Sequence, residues 1–215
     1  MKQAKKRRKE EDDDESEDQV VLFDKYQPRN KSDGSRPIDL QVSAFLDPST
    51  YSGKHAAKWK NSVFTLAVAS ALPSLESLHS RSDLMGCPQV LVLSAGALRA
   101  SHVLNAMSSQ LKCPFAKLWA KHFKIPAQVE ALGKKAYPIG VGTPARIRKL
   151  FELGALDARN LQLVILDVAR NPKDFNLLSL PDTQADTYGL IENFILSQIS
   201  SGQCKVCMVA GNEKF

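Results

Sequence analysis

No run of apolar residues in this chain approaches the 18 or more that a membrane-spanning helix needs. The most apolar stretch, Val63 to Leu72 (VFTLAVASAL), has the length of a buried helix instead. The first residues are charged throughout, so no apolar signal segment is read there. The expectation is an intracellular, soluble protein without a membrane partner.

Cysteine is scarce, at Cys87, Cys113, Cys204 and Cys207. CKVC has the spacing of a zinc or redox pair. It falls, however, in QCKVCMVAG, which reads as a buried strand, and residues three apart on a strand point to opposite faces. No second CxxC completes a site. His55, His79, His102 and His122 form no HExxH or similar pair and are read as surface or packing residues. Neither a metal nor a cofactor is expected, and no internal repeat is visible.

What is present is charge, unevenly spread. The chain carries +6 over 215 residues. Residues 99–149 hold ten basic side chains against one acid, Glu130, whereas residues 150–215 hold five against eight. A basic middle beside an acidic end points to a surface that faces a polyanion, and phosphate is the commonest such partner. A merely solvated basic face is the alternative.

The chain opens with a basic block, Lys5, Lys6, Arg7, Arg8 and Lys9, followed by the acidic run EEDDDESED from Glu10 to Asp18. Neither can bury apolar surface, so residues 1–54 are expected to be a disordered tail and a Pro/Ser/Asp-rich arm, with little regular structure from Asp24 to Gly53. The basic block is of the kind read by nuclear import receptors. Ser16, set among acids, is a candidate site for an acid-directed kinase.

Residues 55–215 show an alternating rhythm. A helical pattern through AAKWKNSVFTLAVASALPSLESLHS is expected to break near Pro73. PQVLVL, YPIGVGT, LQLVILD and CKVCMVAG read as strands, and SAGALRASHVLNAMSSQL and DTYGLIENFILSQIS as helices. PFAKLWAKHF (Pro114 to Phe123) is read as a short amphipathic helix with Lys117, Lys121 and Lys124 on its solvent face, and IPAQVEAL as a strand. TPARIRKLFELG has strong boundaries: Thr143 as N-cap, Pro144 at the first helical position, Gly154 just past the end. Strands that are apolar throughout, separated by helices, predict an α/β domain with a parallel sheet flanked by helices.

In its order of motifs the chain resembles the first RecA-like domain of DEAD-box RNA helicases. VGTPARIRKLFELGALDARNLQLVILDVARN is similar to that family from its TPGR motif through its DEAD motif. VLVLSAGALRASH stands where the family has PTREL, and VCMVAG where it has the strand ending in SAT. The resemblance spans roughly Val63 to Gly211. A degenerate single domain of this kind behind a charged tail resembles the helicase-like subunit family of the small-subunit processome, the 90S pre-ribosome. That implies a nuclear and nucleolar location and a part in ribosome biogenesis. It also implies RNA (pre-rRNA or small nucleolar RNA) and pre-ribosomal assembly proteins as partners, with no small-molecule substrate.

The departures bear on activity. A phosphate loop needs Gly-x4-Gly-Lys-Ser/Thr after a strand, so that backbone amides wrap the phosphates. The one candidate, SGKHA, keeps Gly53 and Lys54 but has Pro48 and His55 at the first glycine and the hydroxyl positions, and no apolar strand is read before it. In the DEAD position Asp167 remains, Val168 replaces the glutamate, and Arg170 reverses the last charge. The expectation is a non-catalytic RNA-binding or scaffold subunit; an active RNA-dependent ATPase and a purely protein-binding adaptor are the alternatives. The resemblance puts Thr143 and Arg146 on an RNA backbone, with Arg99 in the shifted arginine motif. Lys117, Lys121, Lys134, Lys135 and Lys149 are candidates to extend that surface.

Overall fold

Strand and helix alternate along the chain as the apolar rhythm requires. The computed structural model describes residues 42–46, 63–75, 77–80 and 84–210. The readings on Lys5 to Lys9, Ser16 and SGKHA lie outside those residues.

Among the described residues, the strands are β1 (Val42–Leu46), β2 (Val90–Leu93), β3 (Phe115–Leu118), β4 (Ile139–Gly142), β5 (Leu163–Asp167) and β6 (Lys205–Val209). They form one sheet in the order β1-β6-β5-β2-β4-β3, and each neighbouring pair is parallel. The helices are α1 (Val63–Ala71), α2 (Ser77–Ser80), α3 (Ala97–Ser108), α4 (Ile125–Lys134), α5 (Pro144–Glu152), α6 (Pro181–Leu190) and α7 (Leu196–Ser200), with a π-helical turn at Ile191–Ile195 joining the last two. This is the expected α/β class.

The physical reason is burial on both faces. VLVL, IGVG and LVILD are buried at every position, so no polar residue needs to alternate with the apolar ones. Helix α3 lays Ala100, Val103, Leu104 and Met107 into a core that includes Val90, Val92, Ile139, Val141 and Ile165. Truncating such a side chain to alanine costs about 2–5 kcal/mol.

Two elements exchange identity relative to the sequence reading. Phe115–Leu118, expected to be helical, is the edge strand β3, with Lys117 exposed between buried Ala116 and Leu118. Lys117, Lys121 and Lys124 therefore share no helix face. The segment IPAQVEAL, expected to be a strand, is the body of α4: Pro126 sits in its first turn, and buried Gln128 and Leu132 are one turn apart. Short apolar runs fit either period, and here the tertiary pairing with β4 decides. Gly142 makes that pairing close: a Cβ there would stand 2.0 Å from the Leu118 carbonyl oxygen.

A third correction concerns the arm. Val42–Leu46, expected to lack regular structure, pairs with β6 in parallel. An apolar strand does precede SGKHA, contrary to the sequence reading. A five-residue strand inside a Pro/Ser/Asp-rich stretch has too little pattern to stand out. The last long helix also starts earlier than expected, at Pro181.

Thr143 occupies the N-cap position of α5, but its side chain makes no capping bond. Gly154, at φ +67, ends that helix in the left-handed conformation expected of it. Cys204 and Cys207 are buried free thiols, and burial pushes both up to about 12.

Candidate nucleic-acid interface

Parallel strands send all their C-terminal ends to one side, where loops collect the polar residues. Strands β2 and β5 are neighbours, which brings Ser94 and Asp167 together. Asp167 is 2% exposed. Its Oδ2 accepts from Arg99 Nε at 2.6 Å and Ser94 Oγ at 3.1 Å. Its Oδ1 accepts from Arg99 Nη2 at 3.0 Å and the Ala169 amide at 3.3 Å. An ionised carboxylate has about four acceptor positions, and here four donors take them. The central guanidinium carbon of Arg99, Cζ, lies 5.7 Å from the ring centroid of buried Phe64, on α1. Arg99 is thus the counter-ion of Asp167, not a surface cation. Val168 is fully buried, and Arg170 pairs with Asp174.

Arg146, in the first turn of α5, is placed differently. Its Nη1 donates to the Phe123 carbonyl at 3.0 Å and to Gln128 Oε1 at 2.7 Å. Gln128 is 6% exposed, and its Nε2 donates to the carbonyls of Lys117 (2.6 Å) and Trp119 (3.2 Å). One buried amide therefore ties α5 to the edge strand. Arg146 has no acid partner among the described residues, and Nε and Nη2 keep their donors. It is a cation fixed in place that no acid among the described residues neutralises. Thr143 is held beside it by its amide, which donates to the Leu118 carbonyl at 3.1 Å.

The lysines divide by partner. Lys117 and Lys135 are exposed, with their ammonium groups 5.9 Å from the Phe123 ring and 5.7 Å from the Tyr137 ring. Lys121 and Lys124 are exposed in the turn between β3 and α4. Lys134 pairs with Glu130. Lys149 pairs with Glu152 at 3.1 Å, and Arg148 reaches Glu152 and Asp186. These cations hold the Glu152 carboxyl below its usual range, Lys149 most strongly. So the structure gathers Lys117, Lys121, Lys124, Lys135, Thr143 and Arg146 around β3 and α4. It leaves Arg99, Lys134 and Lys149 committed to acids.

Sequence reading missed Gln128, because a lone glutamine in a stretch taken for a strand carries no signal. It also missed a cleft of about 230 Å³ between β3 and α4, lined by Phe115, Lys117, Phe123, Gln128, Ala131 and Tyr137 among others.

Solved structures similar to the chain include DEAD-box proteins. The yeast DEAD-box splicing factor Prp28 aligns at 14% identity over 80% of this chain and 37% of its own, with a TM-score of 0.50. Saccharomyces cerevisiae Dbp5, solved with Nup159, Gle1, IP6 and ADP, aligns at 12% over 90% of this chain and 42% of its own, with a TM-score of 0.49. The fold is that of a RecA-like DEAD-box domain.

The model of the CMS1 family, described as a U3-containing 90S pre-ribosomal complex subunit, matches residues 38–209, and the chain belongs to that family. Protein CMS1 of Chaetomium thermophilum is 37% identical over 50% of this chain and 44% of its own length. Protein CMSS1 of Homo sapiens is 31% identical over 54% and 43%. That of Danio rerio is 27% identical over 88% and 63%. The aligned part of the chain thus spans about half the length of these curated relatives.

Proposed function

We propose that the chain is a non-catalytic subunit that grips RNA within a nucleolar ribosome-assembly complex. The family description supports the assembly role. The observation that carries the rest is the contrast between two arginines. Arg99 pairs with the one acid left from the DEAD position, while Arg146 stands pre-positioned with no acid partner among the described residues.

A carboxylate with its acceptor positions filled by Arg99, Ser94 and the Ala169 amide offers nothing to a magnesium ion or an attacking water. Strand β1 does restore the topology that a phosphate loop needs, and this favours the ATPase alternative. Pro48 still replaces the glycine that lets backbone amides wrap a triphosphate, and His55 the hydroxyl that holds its magnesium. The grip itself is on the backbone. The first amides of α5 lack intrahelical partners, its dipole is positive there, and Arg146 adds a rigid donor fork. Lys117, Lys121, Lys124 and Lys135 extend the same field, with pre-rRNA or small nucleolar RNA as the partner. Lys149, Lys134 and Arg99 contribute less, being paired. The block Lys5 to Lys9 supplies nuclear import, and Ser16 a phosphorylation site.

Ultraviolet crosslinking in cells tests the reading. Crosslinked RNA on the wild-type chain, reduced for Arg146→Ala, is the expected result. A chain that assembles normally without touching RNA would be an adaptor.

A further inference from the structure

We infer that the cleft between β3 and α4 is a subsite for one unstacked nucleobase of the RNA strand. This deepens the proposed function and rests on its reading of Arg146 as a backbone contact.

The cleft holds about 230 Å³. At about 30 Å³ per water, that is roughly eight waters, the scale of a single heteroaromatic ring system. Its lining includes Phe115, Phe123 and Tyr137, each half-buried, and the small side chain of Ala131. Phe123 is held at its angle by Trp119 behind it, edge to face at 5.7 Å. An aromatic wall takes any base by its π-face, so the subsite is sequence-tolerant.

Charge decides the occupant. Lys117 lines the cleft and stands over the Phe123 ring, and Lys135 stands over the Tyr137 ring, so a cation lies against each of these two aromatic rings. Neither has an acid partner among the described residues. Arg146 is joined to the same cleft through Phe123 and Gln128. A phosphodiester running from Arg146 past Lys117 carries its base towards the opening. A peptide strand fits less well. The carbonyls of Lys117 and Trp119, which an added strand would use, already accept from Gln128 Nε2.

The test compares two single-stranded RNAs of equal length on the full wild-type chain, one ordinary and one with abasic sites throughout. The ordinary strand is expected to bind about tenfold tighter at equal salt slope. Ala131→Leu, which adds bulk to the lining, is expected to abolish that advantage while leaving abasic binding unchanged. A thermal melt of the variant guards against misfolding, and the wild-type comparison does not depend on it. Equal binding of both strands would overturn the base subsite and leave the backbone grip standing. Failure of both strands to bind would overturn the grip and the subsite together. If Ala131→Leu spares RNA binding but releases an assembly protein, the cleft is a protein site and the inference fails.

Discussion

Arg99 and Asp167, 68 positions apart in sequence, meet as a two-toothed ion pair: Nε to Oδ2 at 2.6 Å and Nη2 to Oδ1 at 3.0 Å. The side chains are 17% and 1% exposed. A buried pair of this kind is not strong evidence of net stability, because both ions lose water to form it. Breaking it from one side is another matter.

Arg99→Ala is expected to destabilise the fold by about 3–5 kcal/mol, since it leaves a buried carboxylate without its counter-ion. Replacing both partners with apolar residues, Arg99→Met with Asp167→Leu, is expected to recover most of that loss. Denaturant melts of the two single variants and the double variant give the coupling directly. Additive losses would mean that the pair is incidental.

Nucleotide is expected to bind very weakly, and magnesium is expected not to help. Calorimetry with ATP, with and without magnesium, checks both points. A phosphate-release assay with RNA present is expected to show no turnover. Turnover that vanishes in Asp167→Asn would establish an enzyme.

Gln128 carries a load that its surface-poor position hides. Gln128→Leu removes the donor for two carbonyls and the acceptor for Arg146. A loss of about 1–3 kcal/mol is expected, the cost of leaving buried polar groups unsatisfied. Hydrogen exchange should show the effect concentrated at β3 and the first turn of α4. A uniform effect, or none, would remove Gln128 as the link.

The alternation of apolar runs was enough to read the class of the fold, because a parallel sheet buried on both faces leaves long β-branched and leucine-rich signals such as LVILD. Thr143, Pro144 and Gly154 marked α5 for equally local reasons. Two segments were not legible. PFAKLW carries a period too short to separate strand from helix, and its state is set by Gly142 on a neighbouring strand. VSAFL is hidden among prolines and serines, and its partner β6 lies far along the chain. The site was half legible. A motif can name Arg146 and Arg99, but it cannot say that one pairs with an acid and the other does not. That difference depends on which residues the crossovers bring together.

Burial pushes the thiols of Cys204 and Cys207 up to about 12 and that of Cys113 up to about 11. A raised pKa keeps a thiol protonated until the pH nears that value, so at pH 8 the nucleophilic thiolate is rare. Alkylation of Cys204 and Cys207 at pH 8 should then proceed only as fast as the chain unfolds. Peptide mapping by mass spectrometry after timed iodoacetamide treatment gives the rate. Labelling within minutes in the folded protein would contradict the buried placement of β6.

Arg146, held in place with no acid partner among the described residues, is tested most directly by RNA titration at two salt concentrations. Arg146→Ala is expected to weaken single-strand binding by about 1.5–3 kcal/mol, the range for a charge-assisted bond. Its salt slope should flatten by roughly 0.7, one phosphate's share. Lys149→Ala should change less, because Glu152 already holds that ammonium at 3.1 Å. Lys173→Ala, an exposed cation in the acidic third of the chain, should change nothing. Arg146→Ala and Lys173→Ala binding alike at both salt concentrations would contradict the account and leave the TPAR turn as a helix start and nothing more.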